Sequence, residues 1–395
     1  MVLKSFEYVR ESGRVNEWKI EGSPNGKNPL ELGNINLIVG KNASGKSNTV
    51  KALSNLADLL SGDKQIKNLE IQTFSYKVTF EKDKVVYIYE LRVIDGKVVE
   101  ENLFVDGKKL LDRSIGKLYY SKLKKNLDFK IDDTVLATNR RDAEQQPYFE
   151  DLYQWAKRCT TYHFGSSMGK NLLVRDIEAL LKDGTFNERE TDKVAGLYAK
   201  AIKDVPQIKP MVMSDMMKID YDLEDVTSSH LKHFPVEAYG ISVKERDLND
   251  VTEQLEMSQG MFRSLALLAQ LNFSLFKKIP SCILIDDIGE GLDYNRSTKL
   301  IGLLIEKAKE SGVQLIMSTN DRFVMNNIPL DYWHVIWREA NKSIFYNKKN
   351  SPKIFEQFAY VGLNNFDFFA TQFYRTGLQE IGEEELNEEI EGNNG

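Results

Sequence analysis

The sequence predicts an α/β fold: a mixed sheet with an antiparallel β meander and an inserted helical subdomain. Three observations predict it. An apolar, strand-like run at 35–39 meets Gly40-Lys41-Asn42-Ala43-Ser44-Gly45-Lys46-Ser47 and then a helical run. Alternating segments with Asp-Gly between them follow directly. Further on, short apolar runs alternate with helical periods, which is the pattern of a largely parallel sheet.

In order, 2–9, 16–20 and 35–39 read as strands, and the Pro/Asn/Gly-rich stretch 23–29 as a loop. A helix over 46–61 leads into alternating segments at 71–80, 85–93 and 98–105, with turns at Asp83, Asp95-Gly96 and Asp106-Gly107. From about 115 to 233 the periodicity turns mostly helical, over 148–159, 174–182 and 190–203. A strand at 235–243 precedes a broadly apolar helix over 264–271, and 281–285 is an apolar run of the kind buried on both faces. A helix at 295–311, strands at 313–321 and 330–337, and an aromatic helix at 364–374, read as core packing, complete the pattern. The expected division is 1–114 (lobe I), 115–233 (helical insertion), 234–345 (lobe II) and 346–395 (helical segment and tail).

Composition is that of a globular protein: 395 residues, 42% hydrophobic and 28% charged. No apolar run of about 18 residues exists to span a membrane, and the N-terminus lacks a signal-peptide core, so a cytoplasmic location is expected. Cys159 and Cys282 are expected as buried thiols, and the four histidines show no zinc-site spacing. A net charge of −6 argues against a surface that is all nucleic-acid footprint. Lys108, Lys109, Arg113, Lys117, Lys122, Lys124 and Lys125 nevertheless cluster around Tyr119 and Tyr120, either as a solvated face or as a nucleic-acid track. The seven glutamates of 380–391 read as a solvated tail.

Gly40 and Gly45 let the backbone aim successive N–H groups, from Lys41 to Asn48, into a concave nest, and the helix starting at Lys46 adds its positive end. A phosphate chain suits that cradle, with Lys46 reaching its β- and γ-phosphates and the Ser47 hydroxyl binding Mg²⁺. ATP and Mg²⁺ are therefore the expected cofactors. Asp286, ending the apolar run at 281–285, would hold the Mg²⁺, and Asp287 would orient and deprotonate the attacking water. Ser258 and Gly260, just before a helix, would make a second anion-binding corner; the plainer reading is an N-cap with a turn glycine.

These motifs resemble an ABC-class ATPase head of the SMC/RecF/OLD-like kind (AAA_21/AAA_15-type). Residues 40–47 match its Walker A, Met257-Ser258-Gln259-Gly260-x-x-Arg263 its signature, 283–287 its Walker B and Gly291-Leu292-Asp293 its D-loop. Thr319-Asn320 falls where the switch histidine belongs. The resemblance covers about 1–110 and 235–340. It implies a head-to-tail dimer, or a larger ring of dimers, with Ser258 and Gly260 donating in trans to the neighbour's γ-phosphate and Asp293 bridging the two sites. It leaves the Q-loop glutamine open among Gln72, Gln145 and Gln146, and adenine stacking open among Phe6, Tyr8 and Trp18.

Asp287 stands where the family has Glu, and Asn320 where it has His, which suggests slow turnover; Glu290 is a nearby carboxylate that could assist. Too few residues follow the last strand for the Toprim nuclease domain of the OLD family. The implied function is an ATPase that gates a separate effector protein in bacterial anti-phage or abortive-infection defence. The alternatives are a RecF/SMC-like repair ATPase that binds duplex DNA and, third, a transporter's ATPase subunit.

Overall fold

The computed structural model describes residues 1–26, 28–182, 189–232, 237–278 and 281–377. The glutamate-rich tail, His233 and residues 235 and 236 of the expected strand lie outside them. The chain divides into two compact units, Trp155–Met317 and the remainder on either side of it.

In the first unit the meander forms as expected and runs further. Phe74–Lys82, Val85–Ile94 and Lys97–Val105 pair antiparallel, and Lys108–Asp112, Lys117–Tyr120 and Lys125–Asp128 continue the ladder. The turns close because both central residues adopt positive φ, as in the hairpin turns that match strand twist: Asp95 and Gly96 at 49° and 76°, Asp106 and Gly107 at 46° and 77°. On the other side of Phe74–Lys82 lie Val2–Arg10 and Trp18–Glu21, then Lys342–Tyr346, Trp333–Glu339 and Ile35–Val39. Ile35–Val39 runs parallel to Trp333–Glu339 and is buried at every residue, so it forms the floor from which the glycine-rich turn rises. The aromatic C-terminal segment is core: Phe355, Phe358, Phe368, Phe373 and Tyr374 interlock edge-on or tilted, with centroids 4.7–6.2 Å apart.

His334 is buried beside that floor, with Nε2 3.0 Å from Asn36 Oδ1 and Nδ1 3.3 Å from Asn347 Nδ2. Burial lowers its pKa from 6.5 to about 4. The unfolded chain therefore binds the proton more readily, and the stability from a neutral His334 is complete above pH 6.5 and lost as pH falls towards about 4. We expect a loss of up to about 3 kcal/mol over that interval, read as a falling urea midpoint, and a flatter profile for His334→Gln. An equal acid response in both chains would contradict this.

In the second unit, Cys159–His163, Cys282–Asp286 and the start of Gln314–Thr319 form a parallel sheet. Leu223–His230, Tyr239–Glu245 and Val251–Glu253 form a separate antiparallel one. Helices Val194–Asp204, Ile208–Lys218, Gln259–Phe276 and Tyr294–Ser311 accompany them.

The expectation of a mainly helical 115–233 needs correction. It contains the last two meander strands, the edge strand Cys159–His163 and Leu223–His230. Helix Pro147–Lys157 stops before Cys159, where Cys-Thr-Thr-Tyr favours the pleated surface beside Cys282–Asp286. Cys159 and Cys282 are both fully buried free thiols. Among the described residues no helix is long and apolar enough to cross a membrane.

Candidate functional site

Ile35–Val39 delivers the chain into the glycine-rich turn, and helix Lys46–Ser61 leaves it with Gly45 as N-cap at φ 109°. A glycine N-cap brings no side chain to the helix's first N–H groups, the arrangement that suits an anion at a helix start. Both glycines are sterically required. A Cβ on Gly40 would meet Ile336 Cγ2 at 2.4 Å and Ser44 Oγ at 2.6 Å; one on Gly45 would meet Ser343 Oγ at 2.6 Å. Ala43 also takes positive φ, 61°. The loop is braced from below: Trp18 Nε1 donates to Ser343 Oγ (2.9 Å), which donates to Ser44 O (2.8 Å), and Arg338 Nη1 donates to Ala43 O (3.3 Å).

Lys46 folds over this loop, with Nζ donating to Gly40 O at 2.8 Å and Lys41 O at 3.2 Å. Lys41, Asn42, Ala43, Ser47 and Asn48 are exposed around it. Asn320, 278 residues further on, donates Nδ2 to Asn42 Oδ1 at 2.9 Å, so the residue at the switch position touches the loop. A cleft of about 590 Å³ lined by Arg10, Glu17, Trp18, Arg338 and Asn341 opens in the same unit.

The open assignments narrow. Phe6, Tyr8 and Trp18 are all buried, Tyr8 with its ring 4.8 Å from Tyr76, and of the three Trp18 lines the cleft. Gln72 bonds the carbonyls of Ile66 and Leu69, and Gln146 accepts from Asp142 N at 3.1 Å, so both serve their own loops. In the basic cluster Lys109, Arg113, Lys117 and Lys122 pair with Asp112, Glu101, Asp128 and Glu144, and Lys108 sits over the Tyr119 ring. Cations neutralised in this way make a poor phosphate track.

In the second unit Cys282–Asp286 ends with Asp286 half-buried, and Asp287 turns the chain at φ 56°. A non-glycine residue in that region is uncommon and reaims its side chain. Loop 163–166 wraps the acidic end, with Phe164 N donating to Asp286 O at 2.9 Å. A Cβ on Gly165 would lie 3.0 Å from Asp287 Cβ and 2.6 Å from Glu290 Oε2, so this glycine admits both acids. His163 is exposed and in register with Asp286 on the neighbouring parallel strand. The sequence reading assigned neither His163 nor Gly165, because it took this region as helical; the β-branched run before a glycine was the available signal.

Ser258 is an N-cap, its side chain accepting from Met261 N at 3.2 Å. A Cβ on Gly260 would meet Gly291 O at 2.7 Å, so the helix's first turn and the 289–293 loop pack backbone to backbone. Arg263, 5% exposed, holds three carbonyls: Ser166 O (2.8 Å), Gly165 O (3.1 Å) and Glu290 O (2.7 Å). It ties both loops around the acidic end to the helix that begins at Ser258. Asp293 caps helix Tyr294–Ser311 by accepting from Arg296 N at 3.0 Å, and that bond with the Arg296 guanidinium holds its carboxyl below the usual range.

Among the described residues no group of three or more His, Cys, Asp or Glu side chains forms a metal site. A cation here would draw on hydroxyl, carboxylate and phosphate oxygens, the hard donors that suit Mg²⁺.

No protein-family model matches the chain. Among solved structures it is similar to an SMC head bound to the C-winged helix domain of ScpA, at TM-score 0.50 and 17% identity, covering 87% of this chain and 97% of that one. The SMC head with an extended coiled coil bound to the C-terminal domain of ScpA, derived from Pyrococcus furiosus, aligns at TM-score 0.49 and 14% identity, over 91% and 99% of the two chains. The ribose import ATP-binding protein RbsA of Halalkalibacterium halodurans is 32% identical over 128 residues, 30% of this chain; the chain spans only 25% of that protein's length. The fold is the mixed α/β head of the SMC and ABC-type ATPases.

Proposed function

We propose that this chain is a cytoplasmic ATPase that binds ATP with Mg²⁺ on the 40–48 loop and closes head to tail with a second copy around the nucleotides. The observation that carries it is the loop itself. Two sterically obligatory glycines, an uncapped helix start, Lys46 and the Asn320–Asn42 contact converge on one exposed nest of donors.

In this reading Lys46 leaves the Gly40 and Lys41 carbonyls for the β- and γ-phosphates. Ser47 and Asp286 would hold Mg²⁺, which supplies neutralisation of the phosphate charge. Asp287 accepts the proton of the attacking water, and Asn320 donates to a γ-phosphate oxygen. Ser258 and Gly260 act on the partner copy's nucleotide, with Asp293 at the junction.

Titration with a fluorescent ATP analogue tests the first step: saturable, Mg²⁺-dependent binding at micromolar concentration is expected, and no binding at millimolar ATP would overturn it.

The biological reading is an SMC/OLD-like head that gates a separate effector in phage defence. One solved SMC head carries a bound ScpA domain, which supports a partner protein docking on a head of this fold. The head fold also supports the DNA-repair alternative, while Lys109, Lys117 and Lys122 of the basic cluster each pair with a carboxylate and so offer less charge to a DNA track. We expect charge reversal at Lys122, Lys124 and Lys125 to leave any duplex affinity and its salt slope unchanged. A collapse of both would favour repair.

A further inference from the structure

We infer that Arg263 is a positioning residue for hydrolysis, which ties the aim of Asp287 to the seating of the helix that begins at Ser258. The inference rests on the proposed reading of Asp287 and deepens it. Arg263 is the one cation of helix Gln259–Phe276, and it is buried. Its partners are all backbone: Nε donates to Ser166 O, Nη2 to Gly165 O and Nη1 to Glu290 O. A carbonyl marks where the chain runs, so this guanidinium fixes the paths of two loops and not a neighbouring charge. The task needs a planar fork of donors at set spacing, which the single ammonium of a lysine lacks.

One of those paths carries Asp287. Glu290 N donates back to Asp287 O at 3.3 Å, which closes the turn that Asp287 opens. The next residue, Gly291, holds φ at 81°, and a Cβ on it would lie 2.9 Å from Arg263 Nη1, so the guanidinium packs directly on the chain there. The other path is 164–166. Phe164 N and Gly165 N both donate to Asp286 O, at 2.9 and 3.4 Å, and a Cβ on Gly165 would lie 3.0 Å from that of Asp287. Asp287 is therefore flanked on both sides by chain that Arg263 holds.

The helix side is fixed as firmly. Phe262 N donates to Ser258 O at 3.0 Å, so the serine corner and the arginine share the first turns of one helix. The loop after 166 reaches the same start: Lys170 Nζ donates to Met257 O, and Gln254 Nε2 donates to Lys170 O at 2.8 Å. Gly260 packs on Gly291 O from the other side. Close-packed backbone of this kind transmits displacement, so a shift of the helix start moves the Asp287 turn with it.

Full-length wild type, Arg263→Lys, Arg263→Met and Gly291→Ala are compared, alone and combined with Asp287→Asn, for affinity towards the fluorescent ATP analogue, for single-turnover hydrolysis of ATP with Mg²⁺, and for thermal midpoint. Gly291→Ala keeps the arginine and displaces one arm of its fork, so it remains informative where Arg263→Met does not fold. We expect unchanged nucleotide affinity throughout, because none of these contacts involves 40–48. Hydrolysis should slow about 10–100-fold in each single variant, the order of an ångström-scale misplacement of a reacting group, with Arg263→Lys the mildest. Combined with Asp287→Asn, the same changes should cost less than about threefold more, because an arginine that acts through Asp287 then has nothing left to aim. Folded Arg263→Lys and Gly291→Ala chains that hydrolyse at the wild-type rate, or losses that multiply with that of Asp287→Asn, overturn this inference alone. A wild type whose hydrolysis is indifferent to Asp287→Asn overturns the reading of Asp287 and this inference with it.

Discussion

Replacing Asp287 by Asn is expected to slow ATP hydrolysis by about 10²–10⁴-fold while leaving nucleotide affinity intact, the effect of removing a positioned general base. The choice of Asn follows from the backbone. Asp287 holds φ at 56°, a conformation Asn tolerates as well as Asp, whereas Ala there adds strain of about 1–2 kcal/mol. The exchange therefore removes the charge and keeps the turn. Single-turnover hydrolysis is the measurement. Glu290→Gln is the control, because that carboxylate also packs against Gly165; if Glu290→Gln abolished turnover and Asp287→Asn did not, the base would be reassigned.

Lys46→Ala is expected to weaken ATP binding about 100-fold, since one lysine gives up charge-assisted bonds to two phosphates. The same ammonium donates to Gly40 O and Lys41 O, so the loop loses an internal brace as well. Thermal midpoint separates the two effects. A variant that melts like wild type and binds ATP as tightly would remove Lys46 from the site.

How much of this was legible in sequence depends on the range of the contact involved. The strand–turn–helix at 35–61 is local and formed as read, as did the Asp-Gly turns, whose φ values follow from residue type. Helix Tyr294–Ser311 begins within one residue of the reading, whereas Gln259–Phe276 begins before the 264–271 read for it, because its first turn carries Gly260 and Arg263 and not a clean apolar period. Strand Cys159–His163 was not visible. A strand buried in a parallel sheet shows no alternation, and this one abuts a helix, so only its pairing across 123 residues with Cys282–Asp286 defines it. The role of Arg263 was hidden for the same reason. Its three partners are backbone carbonyls on two loops, which no side-chain pattern announces. Asn320 lay between: its position followed from spacing, its contact with Asn42 only from the fold.

The central claim, that ATP brings two copies together through the Ser258–Gly260 corner, is tested most directly by sedimentation of Asp287→Asn in Mg²⁺-ATP, alone and combined with Ser258→Arg. The account predicts that the single variant runs at twice the 45.3 kDa chain mass with ATP and at the chain mass without it. It also predicts that the double variant binds ATP yet stays at 45.3 kDa. A single variant that saturates with ATP and remains a monomer, or a double variant that dimerises as well, would contradict it.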